Sequence, residues 1–331
     1  MTDRSAQIVG WGTYVPERVL TNADLERMVE TSDEWITVRS GIKERRIAGE
    51  GESTSTMGIR AAEKALCRAG LKASDIDLVI SASATPDYLF PATGCIIQDA
   101  IGAKCGAFDL EAGCSSFVYG LVVGSQMIAA GGYQNILLVG AETLSRFMDY
   151  TDRSTCVLFG DGAGAVVLQA CPKSYGIQSF ELGADGAGCD LIKLPAGGSA
   201  KPATEETVRA GDHFVHMVGN QVFKFATLTL GACAERVATK AGWKLDEIDV
   251  FVPHQANLRI IEAAQKRLEM PMDKIFVNVE RYGNTSSASV PLAMVEAIDA
   301  GLIRKDQNIV MVAFGVGLTW AGVAMRWGAD V

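Results

Sequence analysis

The sequence predicts an α/β fold assembled from two similar halves, and three observations support that. The segment from Ala65 to Ile80 aligns without a gap on Val237 to Val252, 172 positions later. Gln134 to Val139 matches Gln307 to Val312 at an offset of 173, each copy following an apolar stretch that ends in Ala-Gly. Both copies of the longer repeat read as a helix closed by glycine, a short polar loop and a buried strand. The expected division is residues 1–172 and 173–331.

Bulk properties narrow the class. A chain of 331 residues, 48% of them hydrophobic, can bury one large core or two ordinary ones. Nowhere do eighteen apolar residues run together, and Met1 to Gln7 has no apolar signal-like stretch, so a soluble cytoplasmic protein is expected, with no membrane partner. With 30 Lys and Arg against 39 Asp and Glu, the formal net charge of −9 argues against nucleic acid as a partner. An acidic partner would need a local basic patch.

Taken in order, the elements place a few chemically capable residues. A buried strand over Ala107 to Leu110 precedes Cys114, which opens an apolar helix running through Val123. A thiol at a helix start sees the positive end of the dipole and unpaired N–H groups, which favours a thiolate; a plain core cysteine is the alternative. Phe159 to Ala165 is glycine-rich but leads into alternating apolar residues rather than a helix, so a dinucleotide loop is not expected. Gly183 to Gly211 has no counterpart in the first half and reads as a loop over the site or a surface excursion. His213 and His216 are expected on one helix, i and i+3, as a structural or solvent-facing pair.

In the second half, His254 directly follows the strand from Ile248 to Pro253, at the position matching Ala82. The end of a strand is where an α/β sheet usually presents working side chains. Asn284 precedes an apolar helix that ends at Gly301; it can be a helix cap or a functional amide. Because the helices ending at Gly131 and Gly301 are repeat equivalents, Cys114 and Asn284 stand at equivalent helix entries. A pseudo-twofold relation between halves would bring a thiol, an imidazole and an amide together. The glycines of Gly315 to Trp320 follow the last repeat strand and would let backbone approach a ligand, as an oxyanion hole requires. The eight cysteines show no CxxC or Cys/His zinc spacing; most are expected to be buried small hydrophobes, and no metal or other cofactor is expected.

At these residues the chain resembles the β-ketoacyl-acyl-carrier-protein synthase III family, over essentially its whole length. The likeness rests on Gly113-Cys114-Ser115-Ser116-Phe117, Val252 to Arg259, Gly283-Asn284-Thr285-Ser286 and Gly315 to Trp320, in that order. It implies a thiolase-like fold of duplicated halves in α-β-α-β-α layers, usually a homodimer, acting as an acyltransferase that starts fatty-acid synthesis. The implied reaction condenses an acyl-coenzyme A primer with malonyl-acyl carrier protein and loses carbon dioxide. A secondary-metabolism acyltransferase or condensing enzyme of the same fold is the alternative.

The resemblance also implies residue roles. Cys114, His254 and Asn284 would be the catalytic set, with Cys114 and Val316 supplying backbone N–H groups to an oxyanion. Thr31, Trp35, Arg39, Arg153, Ala256 and Asn257 would hold coenzyme A, where a planar Arg can stack on adenine and contact phosphate. Gln255, Ala256, Asn257, Leu258 and Arg259, with Lys224, would meet the carrier protein. Phe90 would reach from one subunit to close its partner's acyl pocket. Three positions depart from the family: Ser116 stands where many members have Gly, Glu111 lies three residues before the nucleophile, and Val316 takes the centre of a loop often written Gly-Gly-Gly.

Overall fold

The computed structural model describes residues 4–330; Met1, Thr2 and Asp3, the first residues of the polar amino-terminal run, and Val331 lie outside them. The first 172 residues contribute strands β1 (Arg4–Tyr14), β2 (Leu78–Ala82), β3 (Gly106–Leu110), β4 (Asn135–Glu142) and β5 (Gly162–Pro172). Their helices are α1 (Asp33–Ser40), α2 (Thr54–Ala69), α3 (Thr93–Ala100) and α4 (Ser116–Ala129). The remainder contributes β6 (Gly176–Ala184), β7 (Val250–Pro253), β8 (Asn308–Gly315) and β9 (Thr319–Arg326). It also carries α5 (Gly219–Lys240), α6 (Leu258–Leu268) and α7 (Ser289–Asp299).

The strands form two sheets of the same order, β1-β5-β4-β2-β3 and β6-β9-β8-β7. In the first, β2 runs parallel to β3 and β4; in the second, β7 runs parallel to β8. The outer pairs are antiparallel in both. The place of β3 is taken in the second sheet by a single parallel bridge from Phe251 to Ile275.

Both sheets are covered on both faces, and this explains their continuously apolar strands. Ile80, Leu138, Val166 and Leu168 face a central layer made by α4 and α7, which Val252, Ile309, Met311 and Val323 of the second sheet meet from the other side. The alternating residues Val79, Leu137, Val139 and Val167 face α2 and α3. Phe251, Val310 and Val312 face α5 and α6. The result is five layers, α-β-α-β-α. Helix α4 is apolar nearly all round because it lies between sheets, as a helix without a solvent face must be.

Two expectations change. His213 and His216 do not share a helix: the helix Glu205–Arg209 ends before Gly211, which turns the chain at φ 76°, and His216 pairs with Lys193 in a two-stranded ribbon. Cysteine burial is also less general than expected. Cys114, Cys156, Cys171 and Cys233 are buried, but Cys67, Cys95 and Cys189 are exposed and Cys105 is half-buried, the first two lying on the outer helices α2 and α3. Among the described residues no helix is long and apolar enough to cross a membrane.

Candidate active site

Cys114 sits in a tight turn between β3 and α4. Gly113 takes φ 56°, and a Cβ there would come within 2.5 Å of the Val316 nitrogen, so the turn needs glycine twice over. Ser116 secures the same turn: its hydroxyl accepts from Ala112 N (2.7 Å) and donates to Gly113 O (2.6 Å). The side chain that replaces the family's glycine is therefore folded back into the loop. Gly315 of β8 packs directly on the backbone nitrogens of Cys114 and Ser115, leaving no room for a side chain. The Val316 nitrogen lies beside Gly113 in the turn that carries Cys114, and Val316 lines the cavity there.

His254 continues from β7, its N–H donating to Val312 O at 2.8 Å. Its ring meets the Phe314 ring edge-on at 5.1 Å, and Nδ1 lies 2.5 Å from the Ser289 hydroxyl. Nε2 is buried without a hydrogen-bond partner. Burial holds the imidazole pKa down to about 3, so the ring is neutral across the physiological range.

Asn284 is fixed by backbone and side chain together. Its N–H donates to Leu158 O at 2.8 Å, its carbonyl accepts from Gly160 N at 3.0 Å, and its Oδ1 accepts from Ser286 N at 2.8 Å. The last bond resembles a cap, yet it consumes only the amide oxygen and leaves Nδ2 for other work. Ser286 has φ 49°, unusual for a residue with a side chain. Its hydroxyl donates to Glu142 Oε1 at 3.0 Å. Glu142 ends β4, is fully buried, and also accepts from Ser83, Ala84 and Thr85.

Cys114, His254 and Asn284 line one cavity of about 330 Å³, together with Phe314, Gly315 and Val316. Exposed Arg39 and Arg259 also line it, so it runs from the surface to the buried thiol. A narrower cavity of about 150 Å³ continues past Cys114 between Phe147, Phe159, Ile192 and Leu194. Cys114 is 8% exposed, and burial pushes its thiol pKa up to about 12 against the opposite pull of the neighbouring Ser286 and Asn284 side chains. The nearby Glu142 carboxylate pushes the same way as burial. The helix start therefore does not by itself make a thiolate in the unliganded site, contrary to the sequence-based expectation. Glu111 is exposed and lines the narrower cavity; Glu142, whose own pKa burial raises, is the acidic group that bears on the sulfur.

The remaining sequence candidates fall in three places. Trp35 is flanked by the guanidinium groups of Arg39 (4.6 Å) and Arg153 (5.3 Å), near the cavity mouth. Thr31 lies half-buried just before α1, its hydroxyl unpartnered, and does not line the cavity. Ala256 and Asn257 do line it, and Asn257 also caps α6 through Arg259 N at 2.9 Å. Leu258 is half-buried, Lys224 is exposed, and Arg259 stacks over Phe223 at 5.1 Å. Gln255 is a correction: it is buried, donates to Pro253 O and Phe276 O, and accepts from Asn278 N, so no polar group is left for a carrier protein. Phe90 is 85% exposed and far from lining this chain's own cavities. Sequence reasoning missed Glu142, Ser286, Ser289 and Phe314. The repeat offered one signal, since Glu142 stands opposite Gly315 at the same offset of 173.

Residues 108–186 match the family model described as 3-oxoacyl-[acyl-carrier-protein] synthase III, and residues 238–327 match its C-terminal counterpart. The β-ketoacyl-[acyl-carrier-protein] synthase III of Roseiflexus castenholzii is 53% identical over 98% of each chain. That of Caldanaerobacter subterraneus is 50% identical, again over 98% of each. The solved synthase III from Thermus thermophilus superposes with a TM-score of 0.91 at 46% identity, covering 97% of this chain and 99% of that one. With this fold and this degree of identity over nearly the full length, the chain belongs to the β-ketoacyl-acyl-carrier-protein synthase III family of condensing enzymes.

Proposed function

We propose that this acyltransferase carries the primer acyl group on Cys114 and uses His254 and Asn284 as hydrogen-bond donors to the malonyl thioester during the condensation that initiates fatty-acid synthesis. The observation that carries the reading is the unpartnered, buried His254 Nε2 in the same cavity as Asn284 and the Cys114 thiol. In the first half-reaction the Cys114 sulfur attacks the acyl-coenzyme A carbonyl. The carbon–sulfur bond to coenzyme A breaks, and the thiol proton leaves with the coenzyme A thiolate. Backbone N–H groups of Cys114 and Val316 hold the tetrahedral oxygen.

In the second, the malonyl carboxylate leaves as carbon dioxide and its bonding pair becomes an enolate, whose oxygen lies against His254 and Asn284. The enolate carbon attacks the acyl carbon, the Cys114–acyl bond breaks, and the released thiolate takes a proton from water to restore the resting thiol. A neutral imidazole suits a donor at that oxygen. No metal or other cofactor enters these steps.

The substrates proposed are an acyl-coenzyme A and malonyl-acyl carrier protein. The Arg39, Trp35 and Arg153 cluster offers flat and cationic surfaces for the nucleotide end. Exposed Lys224 and Arg259 supply the basic patch that a chain of net charge −9 needs for an acidic carrier. The 150 Å³ apolar cavity beyond Cys114 fits a short acyl primer. A homodimer fits the consecutive exposed side chains Tyr88, Leu89 and Phe90. The division at 172/173 is proposed as the join of a duplicated unit, supported by the shared strand order of the sheets. A cytoplasmic location fits these substrates.

The test separates the half-reactions. Cys114→Ala should abolish acyl loading seen by mass spectrometry of the intact protein. Asn284→Ala should keep loading while malonyl decarboxylation falls by about two orders of magnitude. Equal loss of both half-reactions in Asn284→Ala would sink the assignment.

A further inference from the structure

A neutral imidazole carries one proton, on Nδ1 or on Nε2, and the neighbour of the buried nitrogen decides which. The neighbour here is Ser289, at the first turn of α7. The Ser289 hydroxyl has a single proton to give. Its oxygen already accepts from the buried Gln255 N–H, at 3.4 Å. Among the described residues the hydroxyl has one other hydrogen-bonding neighbour, His254 Nδ1 at 2.5 Å. No carbonyl of the preceding helical turn takes the proton, although serine near a helix start commonly back-bonds there.

We propose that Ser289 is a positioning residue: by donating its hydroxyl proton to Nδ1, it holds His254 as the tautomer protonated on Nε2. The inference rests on the reading of His254 as a thioester donor and explains how that role is set before substrate arrives. Three features agree with it. Among the described residues the Ser289 proton has no acceptor other than Nδ1, so Nδ1 is the nitrogen that presents the lone pair. Nε2 faces the cavity unpartnered, as a waiting N–H would. The Phe314 ring packs edge-on against the imidazole at 5.1 Å, and the bond from His254 N–H to Val312 O fixes the backbone that carries it.

The assignment has a chemical consequence. With its proton on Nε2, the resting imidazole has no lone pair facing Cys114, so it does not take the thiol proton. Loading must instead send that proton out with the departing coenzyme A. Ser289 thus separates the two half-reactions: it is needed for the enolate and not for the thiol.

The experiment is ¹⁵N NMR of the histidine-labelled full chain, in which three histidines give a readable spectrum. The expected result at pH 7 is one histidine with a pyrrole-type Nε2 and a pyridine-type Nδ1, absent from the spectrum of His254→Asn. In Ser289→Ala this pair should move toward a mixture of tautomers, and malonyl decarboxylation should fall about ten- to one-hundredfold, more than acyl loading does. Ser289→Thr, which keeps the hydroxyl, should recover both signals. A wild-type spectrum with the proton on Nδ1 overturns the inference even if Ser289→Ala fails to fold, and takes the resting imidazole's donor role with it; a proton that stays on Nε2 in Ser289→Ala overturns the role of Ser289 alone. Undiminished decarboxylation in His254→Asn would instead remove the functional reading while leaving the tautomer measurement intact.

Discussion

Single residues in this site are set by burial more than by their own chemistry. A cysteine at a helix start is ordinarily a candidate for a lowered pKa, yet Cys114 is driven up to about 12 because its charged form would be buried, beside Glu142. Iodoacetamide labelling of Cys114 in the free enzyme should therefore rise about tenfold per pH unit from pH 7 to 10 without levelling. A plateau below pH 8 would show a resting thiolate and contradict this. The departures at Ser116 and Val316 were visible in the sequence as side chains standing where the family often has glycine. In the structure the Ser116 hydroxyl folds onto Ala112 N and Gly113 O, and the Val316 nitrogen lies beside Gly113.

At the scale of elements, the site is a meeting of ends. Strands β4 and β7 and the entries to α4 and α7 supply Glu142, His254, Cys114 and the turn holding Asn284. Glu142 binds them across the halves: its carboxylate accepts from Ser83, Ala84 and Thr85 after β2 and from Ser286 before α7. That grip supports the left-handed Ser286, whose N–H aligns the Asn284 amide. Replacing Glu142 by Gln turns part of the carboxylate into a donor facing other donors. Glu142→Gln is expected to cost about 1–3 kcal/mol of stability by urea unfolding and to lower malonyl decarboxylation about tenfold or more. A folded variant with normal decarboxylation would show that Ser286 holds the amide unaided.

For the molecule as a whole, the layers bury His254 almost completely, and acid should expose the consequence. Unfolded, His254 would titrate near 6.5; folded, it stays neutral to about 3. The stability this represents is complete above about pH 6.5 and is lost as pH falls toward 3, at about 1.4 kcal/mol per unit. Between pH 7 and 5 the wild type should thus lose about 2 kcal/mol more in urea unfolding than His254→Asn. Equal losses would mean that the imidazole becomes charged in the folded chain. Much of the architecture was legible beforehand. The repeats at offsets 172 and 173 announced the strands β2, β4, β7 and β8 and the glycine-closed helices, because local patterning is periodic and needs no partner to be read. The meeting of Cys114, His254 and Asn284 at one cavity was legible too, because each stands where a strand ends or a helix begins. What sequence alone left open was every relation across the halves: that Ser286 leans on Glu142, that Ser289 meets His254, that Gln255 turns inward. It also left open that the histidines near 213 part at a glycine turn. Those depend on side-chain direction and on what burial excludes, which are properties of packed surfaces far apart in the chain, and only the tertiary structure decides them.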